Sequence, residues 1–294
     1  MICFPQLYHI KNVPAGSEAI MFKRILTGTV LLVVSIAMIV LSKWTTALLV
    51  LAIGIAGGVE FYNLAEKKEI KPSKINGIIS IVLIYIASIL LEGAHMVEVF
   101  TFLLVGTLFL FVFRKDFHIS CFLDAGTTVL GYIYIGWFFS FIIQMRSVEG
   151  YINAYGITFE KGASLVLFLV IVNSFTDIGS YFIGKAFGKT KLCPHISPNK
   201  TVGGSLGGII TAVLISIFMG TFLNLSVNQS IFFAIIISIV AQIGDLWEST
   251  LKRDVDVKDS GNAIPGHGGV LDRFDSLLLS TPIAYYLFKY MIGF

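Results

Sequence analysis

The stretch "SIFFAIIISIVAQIGDLWESTLKRD", residues 230–254, is an apolar run that turns polar only towards its end. A run of about 20 mostly apolar residues is what a helix needs to cross the hydrocarbon of a bilayer. Gln242, Asp245, Ser249 and Lys252 fall at i, i+3, i+7 and i+10, so on a helix they share one face. Lys252 and Arg253 can snorkel towards a membrane surface. Asp245 and Glu248 have no such escape, and a carboxylate at that depth costs roughly 2.5–3.5 kcal/mol on insertion scales unless it faces a cavity or a partner. A polar stripe that climbs out of an apolar layer into basic residues suits a substrate with a lipid tail below and phosphates above.

The rest of the chain agrees with a membrane reading. Of its 294 residues 56% are hydrophobic and 13% charged, with a mean hydropathy of +0.86, whereas about a quarter of an ordinary soluble domain is charged. A net charge of +3, dispersed along the chain, points away from nucleic acid. Cys3, Cys121 and Cys193 are widely spaced and odd in number, which gives neither a disulfide framework nor a zinc site. About nine apolar runs are long enough to span, near 24–42, 45–63, 75–91, 95–113, 125–146, 162–184, 204–223, 230–250 and 275–293. The expected fold is therefore an all-α polytopic membrane protein with a single transmembrane domain over 21–294. Residues 1–20 lack the apolar core of a secretory signal and read as a disordered extension or a start-site artefact, with Met21 opening the basic entry to the first run.

Orientation follows from Lys and Arg. With a cytoplasmic N-terminus, only Lys43, Arg146, Lys161 and Lys289 of the 21 fall on the outer side. Such a bias predicts N-terminus in and C-terminus out, because cytoplasmic loops retain positive charge. It places two unusual polar loops on the cytoplasmic side, where nucleotides are: Gly184–Gly208, "GKAFGKTKLCPHISPNKTVGGSLGG", and Lys258–Ser276, "KDSGNAIPGHGGVLDRFDS".

These loops adjoin further polar residues. Asn173, Asp177 and Tyr181 at i, i+4 and i+8 form a stripe in the sixth run, where the Asp177 carboxylate carries the same cost in lipid unless it faces a cavity or a partner; the plainer reading is a buried polar pair that fixes helix packing. Asp272 and Asp275 lie three residues apart as the last helix begins, where Asp275 would also suit the helix dipole. The glycines around His267 permit close approach to phosphate oxygens, though "GHGG" is not a Walker loop. Carboxylates from two helices (Asp245, Asp272, Asp275) are a normal way to hold Mg²⁺, which is completed by water and substrate phosphates. Lys252, Arg253, Lys258 and Arg273 would clamp the remaining phosphate charge. The residues alone thus suggest metal-dependent phosphoryl or nucleotidyl transfer on a lipid.

Residues 249–275, "STLKRDVDVKDSGNAIPGHGGVLDRFD", resemble the signature of the phosphatidate cytidylyltransferase (CDP-diacylglycerol synthase) family, with every fixed position filled. Upstream, "DIGSYFIGKAFGKTKLCPHISPNKT", 177–201, is similar to the family's second region, except that Asn199 stands where Lys is usual and Gly203 where Glu is usual. The resemblance implies transfer of a cytidylyl group from CTP to phosphatidic acid, giving CDP-diacylglycerol and pyrophosphate. It also implies Mg²⁺, a monovalent cation such as K⁺ at the same site, and a homodimer; the nine spans and their positive-inside bias suit a multi-pass location in a bacterial inner membrane with the active site facing the cytoplasm. On this reading Asp245 and Asp272 ligate metal, with Asp275 in either shell. Lys252, Arg253, Lys258, Asp259 and Arg273 form the charged catalytic set, and His267 meets the departing pyrophosphate. Asp177, Ser197, Lys200, Thr201, Ser249, Gly268 and Gly269 bind substrate.

Three other readings stand beside it. A CTP-dependent lipid-alcohol kinase would transfer the γ-phosphoryl group and release CDP. A transporter would use Asp177 and Asp245 as an ion path, but its polar residues should gather near the midplane rather than at the cytoplasmic ends. The substitutions at Asn199 and Gly203 would be the mark of a member without activity.

Overall fold

The computed structural model describes residues 17–114, 120–264 and 268–293, with side chains from Gly28 onward. Every one of the nine apolar runs is helical. The helices are α1 (Ser17–Leu41), α2 (Lys43–Glu66), α3 (Lys74–Leu90), α4 (Met96–Val112), α5 (Cys121–Gly131), α6 (Phe138–Arg146), α7 (Lys161–Phe187), α8 (Val202–Gly220), α9 (Val227–Asp254) and α10 (Leu271–Phe288). The fifth run supplies both α5 and α6, joined without a break by a π-helical turn, Tyr132–Trp137. Among the described residues, five rods are long and apolar enough to cross a membrane: Lys43–Glu66, Cys121–Arg146, Lys161–Phe187, Val202–Leu223 and Val227–Asp254. The helices α3 and α4 are apolar but shorter. This is an α-helical membrane protein.

Local chemistry sets the helix starts. Ser42 and Ser226 each close a capping box, with Thr45 and Gln229 respectively, and Thr201 accepts the Gly204 amide at 3.1 Å to open α8. Two short antiparallel hairpins were not anticipated from the sequence. One, β1 (Tyr151–Ala154) with β2 (Ile157–Glu160), leads into α7; the other, β3 (Lys191–Cys193) with β4 (Ser197–Thr201), leads out of it into α8. Much of the segment expected as one polar loop, 184–208, is therefore structured: the end of α7, a hairpin and the first turns of α8.

Packing rests on small residues that let helices approach, as expected in lipid, where the interior gains little from hydrophobicity alone. Gly207 and Gly208 of α8 leave room only for Ile183, Thr176 and Ser180 of α7, and Thr211 donates to the Phe175 carbonyl at 2.9 Å. Gly77 and Gly131 flank the ring of buried Tyr62, whose hydroxyl donates to the Thr128 carbonyl at 2.9 Å. Gly54 makes way for Tyr85, which donates at 2.8 Å to the Ile135 carbonyl inside the π-helical turn. Phe288 of α10 packs against two other helices, its ring centroid 5.7 Å from Phe168 of α7 and 5.4 Å from Phe233 of α9. Among these sit buried polar ties, including Asn173 of α7 donating to Ser280 of α10 at 2.9 Å.

Candidate active site

Because α7, α8 and α9 pack closely and β4 runs across their ends, a cavity of about 510 Å³ opens between them. From α7 it is lined by Asp177, Ser180, Tyr181 and Lys185, from β4 by Asn199 and Lys200, and from α9 by Gln242 and Asp245. Asp177 is exposed to this space although it sits within a membrane-length helix. Lys200 Nζ meets Asp245 Oδ2 at 2.6 Å, so the hairpin's lysine reaches the carboxylate that α9 carries. Ser249, one turn further on, lies with Oγ 3.4 Å from Asp245 Oδ1. Lys185 stands 6.0 Å from the centroid of the Tyr181 ring, and both side chains are exposed.

A second polar group adjoins the first one turn along α9. Lys252 Nζ pairs with Glu248 Oε2 at 2.5 Å and with Asp272 Oδ1 at 2.6 Å, and Glu248 is fully buried. The polar stripe read on α9 thus divides: Gln242 and Asp245 face the cavity and Ser249 meets Asp245, while Lys252, with Glu248 beside it, turns to the start of α10. Asp272 Oδ2 accepts the amides of Ser260 at 3.0 Å and Gly269 at 2.8 Å. Asp275 accepts the Ser276 amide at 2.7 Å and lies within electrostatic reach of Asp245, Glu248 and Asp177. Five carboxyl groups of this region, Asp177, Asp245, Glu248, Asp272 and Asp275, thus gather around Lys200 and Lys252. Hard oxygen donors in this number fit a divalent cation. Among the described residues no three such side chains already converge on one point. Substrate phosphates and water would complete the shell, as is usual for Mg²⁺.

The remaining residues singled out in the sequence are more scattered. Arg253 is exposed and spends its guanidinium on backbone: Nε donates to the Ile196 carbonyl at 3.1 Å and Nη1 to Val257 at 2.9 Å, tying the β3–β4 hairpin to the end of α9. Lys258, Asp259 and Arg273 are exposed around the same loop, Ser197 begins β4, and Thr201 caps α8 beside the cavity. His267 lies outside the described residues. Gly268 has φ +88°, a left-handed backbone that disfavours side chains, and a Cβ there would stand 2.9 Å from Asp272 Oδ2. At Gly269 a Cβ would collide with Ser260 Oγ and lie 2.5 Å from Glu60 Oε2. What these glycines make room for is carboxylate belonging to the protein itself. Glu60, a buried residue of α2, escaped sequence reasoning, although its place inside an apolar run is the same signal that marks Asp177.

Residues 22–291 match the family described as "Cytidylyltransferase family". The chain belongs to that family. It is a nucleotidyltransferase whose relatives include a phosphatidate cytidylyltransferase of Bacillus subtilis, 34% identical over 91% of this chain and 97% of the relative. Another, from Synechocystis, is 30% identical over 90% of this chain and 95% of its own length. A phosphatidate cytidylyltransferase of Staphylococcus aureus is 33% identical over 55% of this chain and 58% of the relative. Both of these matches run over nine-tenths or more of the two chains compared, so the similarity extends along the length of each relative and is not confined to one segment.

Proposed function

We propose that this protein transfers a cytidylyl group from CTP to phosphatidic acid, forming CDP-diacylglycerol and pyrophosphate. The observation that carries the reading is the Lys200–Asp245 pair in a cavity between apolar helices, adjoining the Lys252–Asp272 pair. The names of the full-length bacterial relatives support the choice of substrates. A phosphate oxygen of phosphatidate attacks the α-phosphorus of CTP in line; the new P–O bond forms as the bond to the β-phosphate oxygen breaks, and pyrophosphate leaves with that electron pair. No covalent enzyme intermediate is needed, so positioning and charge neutralisation carry the rate.

Lys200 and Lys185, at the cavity, hold the triphosphate and the lipid phosphate, and Thr201 fixes the strand end that presents Lys200. Lys252 neutralises charge developing beside α10, with Lys258, Arg273 and His267 contributing from the loop. Arg253 acts through the hairpin it ties down. Asp245, Asp275 and the Lys252-facing oxygen of Asp272 are the donors that would hold Mg²⁺, with K⁺ as a companion. When bound, Mg²⁺ supplies neutralisation of the phosphate charge on which the transfer depends. The chain crosses a bacterial inner membrane nine times with its N-terminus and active site on the cytoplasmic face, a topology supported by the distribution of Lys and Arg.

The test uses purified protein in detergent with phosphatidic acid, Mg²⁺ and CTP labelled at either the α or the γ position. Label from the α-phosphate should appear in a CDP-lipid and γ label in pyrophosphate. Transfer of γ label to lipid would replace this reading with a lipid kinase, and no transfer to any lipid would remove the catalytic one.

A further inference from the structure

Glu60 of α2 makes three hydrogen bonds to a part of the chain some two hundred residues away. Its Oε2 accepts from Ser260 Oγ at 3.0 Å and from the Leu271 amide at 2.8 Å, and its Oε1 accepts from the Val270 amide at 2.9 Å. The side chain is buried, 6% exposed. A carboxylate in such a place is retained only where donors fully compensate it, and these donors do. On the other side of the same segment Asp272 Oδ2 takes the amides of Ser260 and Gly269. Four consecutive or facing amides at the opening of α10, those of Ser260, Gly269, Val270 and Leu271, are thus held by two carboxylates.

The first amides of a helix are a ready anion site. Here they are already occupied, so this helix start is a clamp and not a phosphate cradle. The glycines confirm how close the fit is, since a Cβ at Gly261 or Gly269 would lie 2.5 Å from a Glu60 oxygen. We infer that Glu60 is a positioning residue: from α2 it fixes the loop before α10 so that Asp272 presents Oδ1 to Lys252. It touches no substrate; it acts through Asp272. This rests on the proposed reaction only for the activity arm of its test.

The full chain in detergent is compared as wild type, Glu60→Gln, Glu60→Asp and Ser260→Ala by amide hydrogen–deuterium exchange and by cytidylyl transfer from CTP to phosphatidic acid. Glu60→Gln keeps the shape but replaces one acceptor with a donor facing an amide. Exchange should rise by about tenfold or more in the peptides around 258–271, with α7 and α8 unchanged. The turnover rate should fall by about 10- to 100-fold while KM for CTP stays within about threefold. Ser260→Ala, which deletes one donor on a loop, should reproduce both effects at smaller size, and Glu60→Asp should recover part of the loss. Unchanged exchange in Glu60→Gln, or raised exchange with unchanged turnover, overturns the inference. So does an exchange increase spread evenly over all helices, which marks a merely structural role. If Glu60→Gln does not fold, Ser260→Ala decides by the same criteria. Should wild type show no transfer, the proposed reaction fails, while the exchange arm still tests the clamp.

Discussion

Lys200 Nζ and Asp245 Oδ2 meet at 2.6 Å where β4 crosses the end of α9, with side chains 26% and 31% exposed to the cavity. The Lys200 ammonium is itself shielded from water, but both side chains are partly exposed and Asn at 245 would keep an acceptor for it, so the charge pair adds little to stability, about 1 kcal/mol, and its place in the site is better explained by function. Asp245→Asn should leave the thermal midpoint within a few degrees and lower the transfer rate by about 10²–10³-fold or more. A melting curve and the labelled-CTP assay on the same sample check both halves.

Asp272→Asn should behave differently. Asp272 is 6% exposed at the side chain and binds Lys252, itself 12% exposed, together with two amides. The variant removes one of the two carboxyl groups that answer Lys252 and weakens the hold on the loop, so a loss of about 1–3 kcal/mol should accompany the loss of activity. Denaturant or thermal unfolding in detergent separates the two variants: activity lost at constant stability for Asp245, both lost for Asp272.

Arg253→Lys tests whether this cation serves through geometry. The guanidinium reaches two carbonyls at once, Ile196 and Val257, which an ammonium on a flexible stem does not reproduce. KM for CTP should rise about 3- to 10-fold with turnover nearly unchanged. A fall of about 10³-fold in turnover would instead place Arg253 on the substrate.

Glycine substitutions should divide by neighbourhood. Gly269→Ala places a methyl against Ser260 and Glu60 and should cost about 1–3 kcal/mol along with most of the activity. Gly57→Ala in α2 meets nothing within 4 Å and should be neutral or gain up to about 1 kcal/mol from helix propensity. Equal losses from the two would mean that the loop is not clamped.

Removing divalent cations with a chelator should abolish transfer, and Mg²⁺ should restore it. If the carboxylates Asp245 and Asp275 hold the ion, adding Mg²⁺ should also raise the melting temperature of wild type but not that of Asp245→Asn. An identical rise in both would exclude Asp245 as a ligand.

The hydropathy of the chain places the helices well because each is an uninterrupted apolar run, and that property is local. The hairpins around Gly156 and Pro194 leave no signal in the sequence because strands of three to five residues carry too little periodicity to stand out from a polar loop. The π-helical turn at Tyr132–Trp137 has no marker within an apolar run either. In the site, helical spacing and the cost of charge in lipid picked out Asp177 and Asp245, and the structure puts both at one cavity. Partner choice was harder to read. The sequence offers Arg253 as a phosphate-binding cation, and its hydrogen bonds go to backbone. Gly268 and Gly269 read as room for phosphate, and the room is filled by Asp272 and Glu60. Spacing along one segment says nothing of a side chain arriving from 210 residues away.

The bond from Glu60 to Val270 also orders the making of the protein. Helix α2 leaves the ribosome and enters the bilayer long before α10 is synthesised, and domains assemble from the N-terminal side as the chain grows. During that interval the carboxylate has none of the donors that later enclose it, and the nascent bundle has no Asp272. On the proposed reading, competence to consume nucleotide therefore arrives only with the final helix, and an interrupted or C-terminally clipped chain would occupy the membrane without drawing on the CTP pool.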